Sequence, residues 1–248
     1  MEPLEIFPNI WLIDLAVHLP EQRALVIADL HLGYEEALHR GGVLVPRQHL
    51  RLIEERLVRI LEHLEPRPRR LVINGDLKHR FAPPSGGEWR EALGFLEFSR
   101  GRFEEIVLLR GNHDANIEYL VERSSGLKVQ ECLQEDRLLL LHGDRRPHAG
   151  ELDGVELILI GHEHPAVGLR SVAGRMEIYK AFLLGEYHGK RLLVQPSFNL
   201  LVPGNDLTRE RAISPLISED GLREFAVYPV ADEGEIYEFG PLAPFLQP

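Results

Sequence analysis

Five short polar blocks, most of them directly following an apolar run, constrain this 248-residue chain more than anything else in it. They are Asp29-Leu30-His31, Gly75-Asp76, Gly111-Asn112-His113-Asp114, His142-Gly143 and Gly161-His162-Glu163-His164. The runs Ala24 to Ala28, Leu71 to Ile73, Ile106 to Leu109, Arg137 to Leu141 and Val155 to Ile160 read as short buried strands, bounded by turn residues. The blocks at their ends carry enough Asp, Asn and His side chains to hold two divalent ions side by side. The single cysteine, Cys132, cannot build a thiolate site alone, so nitrogen and oxygen must hold any metal.

The first half of the chain alternates strand and helix, and the second half is mostly strand. Ile10 to Val17, a Pro-Glu-Gln turn and Ala24 to Ala28 predict a hairpin. Pro46 opens a helix through about His63, with Leu50, Ile53, Leu57, Ile60, Leu61 and Leu64 at helical spacing. A loop from Ala82 to Gly87 leads into a helix from about Glu88 to Ser99. Met176 to Leu184 and Arg191 to Gln195 flank a hairpin turn at Tyr187-His188-Gly189-Lys190. Glu224 to Pro229 and Glu235 to Phe239 read as further strands. This order predicts a layered α/β sandwich with mixed sheets, built as a single domain over residues 1–248.

Each block alone is a common pattern, and an Asp-x-His or Gly-Asp after a strand is most often an ordinary turn. On extended chain, residues i and i+2 project to the same face, so Asp29 with His31, and His162 with His164, can each grip one ion. Gly161 is read as letting the backbone turn before the second pair. The Asp76 carboxylate has two oxygens and can bridge two cations, while Asn112 offers a neutral hard oxygen. Five such blocks in one chain point to a metal site.

Together the blocks resemble the calcineurin-like metallophosphoesterases over most of the chain. The resemblance implies an α-β-β-α sandwich of the metallophosphoesterase type and a residue-by-residue assignment. Asp29, His31 and His164 hold one metal, Asp76 bridges, and Asn112, His142 and His162 hold the other. His113 takes the place of the catalytic histidine that binds no metal, and Asp114 is expected to orient it. The expected reaction is hydrolysis of a phosphodiester by a bridging hydroxide made near neutral pH, with His113 protonating the leaving oxygen. A donor shell without sulfur favours Mn²⁺, with Fe and Zn²⁺ as alternatives.

Asn74-Gly75-Asp76-Leu77-Lys78-His79, Ala28 to Tyr34 and Pro196-Ser197-Phe198-Asn199 resemble the ICC-like phosphoesterases. That group includes enzymes associated with a DNA ligase and a helicase, which implies DNA or RNA ends as substrate and such enzymes as partners. Lys78, His79 and Arg145 are the candidate substrate contacts. The net charge of −11 excludes nucleic-acid binding through a globally basic surface but leaves room for a local patch.

One cysteine and an N-terminus without a basic and apolar leader fit a cytoplasmic protein. No apolar stretch is long enough to span a bilayer. Edge strands near the C-terminus leave a dimer open. Two other functional readings stay open beside the diesterase: a small-molecule phosphomonoesterase, and a scaffold that kept the fold without catalysis.

Overall fold

Short apolar strands that alternate with polar loops bury themselves as two stacked sheets. The computed structural model describes residues 1–81, 85–124, 126–170 and 174–246, apart from the side chains of residues 119 and 121. The first sheet runs β1 (Leu4–Phe7), β2 (Ile10–Ile13), β3 (Ala16–Leu19), β4 (Ala24–Ile27), β5 (Arg70–Asn74), β6 (Glu105–Leu109) and β7 (Leu127–Gln130), in that spatial order. Its first four strands are antiparallel neighbours, and β4 to β7 are parallel.

The second sheet contains β8 (Cys132–Glu135), β9 (Leu138–Leu141), β10 (Leu157–Ile160), β11 (Pro165–Arg170), β12 (Met176–Tyr187), β13 (Lys190–Val194) and β14 (Asn205–Asp206). Their order is β14-β11-β12-β13-β10-β9-β8, and β15 (Ala226–Pro229) pairs with β12. Within it β9, β10 and β13 are parallel. Period-two alternation splits its side chains between two cores. Leu138, Leu140, Leu157 and Leu159 join the core that also holds the first sheet. Leu139, Leu141, Ile158 and Ile160 face the opposite way, into a second core with Leu216, Leu222 and Phe225.

Helices α1 (Tyr34–Arg40), α2 (His49–Glu62), α3 (Gly86–Arg100) and α4 (Glu118–Arg123) connect strands of the first sheet. α2 buries Ile53, Leu57, Ile60 and Leu61, the expected helical stripe. It starts at His49 and not at Pro46, because the buried Glu35 carboxylate accepts the N–H groups of Gln48 (2.8 Å) and His49 (2.9 Å). α3 begins at a reciprocal cap in which Ser85 Oγ accepts from Glu88 N and Glu88 accepts from Ser85 N. The outer layer on the second sheet is slight: α5 (Glu219–Leu222), a single 3₁₀ turn (Ala243–Phe245) and loops. The mixed α/β sandwich is therefore as expected, although its helices sit mainly on one side.

Other local differences have physical causes. Ile10 to Val17 is two strands, because Asp14 turns the chain at φ 52° and is gripped there by the Arg56 side chain at 2.7 and 2.5 Å. Glu235 to Phe239 contributes a single bridge, Val230 to Ile236, and no continuous strand. Strands β1, β7, β8, β11 and β14 and helices α1, α4 and α5 carry too little periodicity to be anticipated. The turn between β12 and β13 is the two-residue hairpin expected, His188 and Gly189 both at positive φ. Residues 82–84 of the anticipated Ala82 to Gly87 loop lie outside the described residues. Among the described residues no helix is long and apolar enough to cross a membrane.

Asp14 is fully buried and Arg56 is its ion-pair partner, so removing the cation strands a charge in the core. Arg56→Ala is expected to destabilise the fold by about 3 kcal/mol, read as a lower urea midpoint at unchanged slope.

Candidate metal centre

Five parallel strands deliver their C-terminal ends to one place. Asp29 and His31 follow β4, Asp76 follows β5, and Asn112, His113 and Asp114 follow β6, three parallel neighbours of the first sheet. His142 follows β9, and His162 and His164 follow β10, parallel neighbours of the second. In open α/β sheets such strand ends form the natural ligand crevice.

The backbone at these positions is not extended, as the i, i+2 argument assumed. Asp29, His31, Asp76, His162 and His164 all have positive φ, between 48° and 63°. For residues with a Cβ that conformation costs about 1–2 kcal/mol each and concentrates at functional sites. The extended alternation therefore does not align each pair; successive left-handed kinks do. Gly161 has a different task from the turn expected of it. A Cβ there would lie 2.8 Å from Asp29 Oδ2 and 2.9 Å from the Ala28 side chain, so glycine admits the close approach of the two sheets.

The side chains converge in two groups. His31 Nε2 lies 3.2 Å from His164 Nε2, and His164 Nε2 lies 3.3 Å from Asp29 Oδ1. Donor atoms of Asp29, His31, Asp76 and His164 all fall within 4.8 Å of one another. In the second group His142 Nε2 is 3.1 Å from Asn112 Oδ1, and the His162 ring stands edge-on to His142 with centroids 5.0 Å apart. One atom belongs to both. Asp76 Oδ2 is 3.7 Å from His31 Nε2 and 3.4 Å from His142 Nε2.

This donor set fits divalent cations. His142 Nδ1 faces the Asn74 carbonyl at 3.1 Å, which fixes the ring with Nε2 toward Asn112 and Asp76. Asp29 and Asp76 are buried carboxylates that lack any Lys or Arg ion pair among the described residues. Burial opposes their charge, yet the surrounding histidines hold both below the usual carboxylate range. Burial likewise opposes the His142 cation, but Asp76 and Asp29 outweigh it and push its pKa up to about 10. A proton on His142 then stands where a cation would neutralise the same carboxylates, and metal binding would release it. His31, by contrast, is lowered to about 3 by burial and by the neighbouring His164, leaving the neutral imidazole a metal requires.

His113 borders this cluster with Nε2 3.9 Å from Asp76 Oδ2. Its orientation comes from the His79 carbonyl, which faces Nδ1, and from its own N–H donating to Asp76 Oδ1 at 2.9 Å. Asp114 does not reach the His113 ring. Its buried carboxylate accepts the backbone N–H groups of Asp76 (2.8 Å), Gly111 (3.0 Å) and Leu77 (3.1 Å), locking the β5 and β6 loops together. Burial and the Asp76 charge raise its pKa to about 7.

The three candidate substrate contacts part ways. His79 lines the cleft, and its buried Nδ1 has no hydrogen-bond partner. Lys78 is buried and donates its ammonium to the carbonyls of Arg80 and His113, so it braces the loop. Arg145 does not line the cleft: Glu151 holds its guanidinium through two bonds, at 2.9 and 3.1 Å.

Two supports were not assigned in the sequence. Ser197 Oγ donates to the Asp29 carbonyl (2.9 Å), and the Phe198 N–H donates to the Ala28 carbonyl (2.7 Å). Glu163 is buried between its flanking histidines and accepts from Asn205 Nδ2 (2.7 Å), Ser214 N (2.8 Å) and Ile213 N (2.9 Å). The signal for Glu163 was its place inside His-x-His; its partners lie some 40 to 50 residues away and left no mark in the sequence.

Gly75, at φ 83°, lies directly under the His142 ring, and any Cβ there would overlap it. Gly75→Ala is expected to lower Mn²⁺ affinity at least about tenfold by displacing His142, and to destabilise by more than about 1 kcal/mol. Calorimetric titration with Mn²⁺ and thermal melting of the metal-free protein measure the two effects separately.

Comparison with known proteins identifies the family. The profile of the calcineurin-like phosphoesterases matches residues 22–158, which carry the first four ligand blocks. Nuclease MPE of Pseudomonas putida is similar in structure, with a TM-score of 0.66 and 22% identity, covering 96% of this chain and 99% of that one. The phosphoesterase YfcE from E. coli aligns with a TM-score of 0.41 and 16% identity over 88% of this chain and 98% of that one. No curated protein sequence matches the chain. The chain belongs to the calcineurin-like phosphoesterase family, and so to the metal-dependent hydrolases of phosphoric esters.

Proposed function

We propose that the protein is a phosphodiesterase with a dinuclear centre, acting on nucleic-acid ends or nucleotides. The observation that carries this reading is the Asp76 carboxylate, one oxygen of which faces His31 of the first donor group and His142 of the second. Asp29, His31 and His164 would hold one ion, Asn112, His142 and His162 the other, and Asp76 both. Divalent ions held there would supply Lewis acidity toward the phosphoryl oxygens and an acidified water. Mn²⁺ suits the mixed oxygen and imidazole set, with Fe and Zn²⁺ as alternatives.

The chain's own residues do the rest. His113, held at Nδ1 by the His79 carbonyl with Nε2 3.9 Å from Asp76 Oδ2, would give a proton to the departing oxygen. Asp114 keeps the Asp76 and Asn112 loops in register, and Gly75 leaves room for His142. The preference for a diester draws on the similar fold of a protein described as a nuclease.

The test is hydrolysis of bis-p-nitrophenyl phosphate and p-nitrophenyl phosphate by metal-stripped protein supplied with Mn²⁺, Fe²⁺ or Zn²⁺. Hydrolysis that requires metal, favours the diester and falls about 100-fold in His113→Ala is expected. Preference for the monoester would move the assignment to a phosphomonoesterase. Absence of any hydrolysis at confirmed metal loading would overturn it in favour of a scaffold.

A further inference from the structure

The cleft over the donor cluster encloses about 460 Å³, the size of a small-molecule site. Among the described residues lining it there is no lysine or arginine. Lys78 is turned to backbone carbonyls and Arg145 is held by Glu151. Apart from bound metal and the histidines around it, the cleft therefore offers no lysine or arginine to the phosphates that flank a scissile bond. A protein that tracks a nucleic-acid backbone needs a row of such contacts.

What the cleft offers at its rim is apolar surface. The Phe81 ring lies on the His113 ring, centroids 3.7 Å apart and planes 31° from parallel, yet Phe81 is 59% exposed. Ile213 lines the cleft and is 58% exposed. The backbone is held at Ile213 itself and at the residue before Phe81. Glu163 accepts the Ile213 N–H, and Glu88 Oε1 accepts the Arg80 N–H (2.7 Å) next to Phe81. Single exposed apolar residues are ordinary on protein surfaces. Here one of them covers the proposed proton donor and the other lines the same cleft as that histidine.

We infer that the cleft selects its substrate by stacking one nucleobase of the departing nucleotide against Phe81, with Ile213 as a second apolar contact, and not by gripping flanking phosphates. This rests on the phosphodiesterase reading. The leaving oxygen passes His113, so the group attached to it arrives over the ring that lies on His113. A planar base gains from that face whatever its sequence identity, by about 1–3 kcal/mol per stacked base. The substrate class is then a short or single-stranded nucleotide diester with an accessible base.

The test compares thymidylyl-(3′→5′)-thymidine with an analogue whose departing sugar carries no base. Both kcat/KM and binding to the Mn²⁺-loaded protein, by calorimetry, are measured. The base is expected to raise both kcat/KM and affinity about tenfold, and Phe81→Ala/Ile213→Ala to reduce that advantage to about one. Equal values for the two compounds in the wild-type protein, or an advantage that survives the double substitution, would overturn the inference. Loss of diesterase activity in the wild-type protein would count against the catalytic reading alone, because the calorimetric comparison still reports on the base. Affinity for a longer single strand is expected to change little between 50 and 200 mM salt, where a steep fall would show phosphate gripping instead.

Discussion

Mutual repulsion among buried carboxylates is the constraint around which this structure is organised. Asp29, Asp76 and Asp114 are all buried at the ends of neighbouring parallel strands, and no lysine or arginine pairs with them among the described residues. Charges in such a place are tolerated only with compensation. Backbone N–H groups compensate Asp114, and imidazoles surround Asp29 and Asp76. Their remaining demand is for a cation. The same two carboxylates push the His142 pKa up against its burial.

The rest of the fold holds this frustrated centre in place. Five residues of the cluster sit in left-handed backbone, which an isolated loop would abandon. Cross-sheet bonds prevent that. Ser197 and Phe198 tie the second sheet to the Asp29 loop, and Gln195 Nε2 donates to the carbonyls of Val26 (2.9 Å) and Leu15 (3.2 Å). Asp114 joins the β5 and β6 loops, and Glu163 fastens the segment around Asn205 and Ser214 to the His162–His164 loop. The site is thus braced where it would bind metal, and Glu163 also holds Ile213 at the rim.

Much of this was legible in the sequence, and for identifiable reasons. Strands such as Leu138–Leu141 and Leu157–Ile160 are buried on both faces and read as unbroken apolar runs. The α2 stripe follows helical period, so it too was plain. The seven candidate donor residues announced themselves because Asp, Asn and His cluster at strand ends, and the fold brings those ends to one cleft. Long-range polar contacts did not. Whether Arg145 turned to the cleft or to Glu151, and whether Asp114 met the His113 ring or backbone N–H groups, depends on loop geometry that has no periodic signature. The left-handed kinks at Asp29 and His162 were likewise hidden, since Asp and His, although enriched there among non-glycine residues, adopt positive φ far less readily than glycine.

The most direct test of the central claim is the metal stoichiometry of the wild-type protein and of Asp76→Ala, by equilibrium dialysis against Mn²⁺ with elemental analysis. A centre built around a shared carboxylate predicts two ions per chain in the wild type and a loss of affinity at both sites when Asp76 is removed. One ion per chain in the wild type, or two bound as tightly without Asp76, would contradict it.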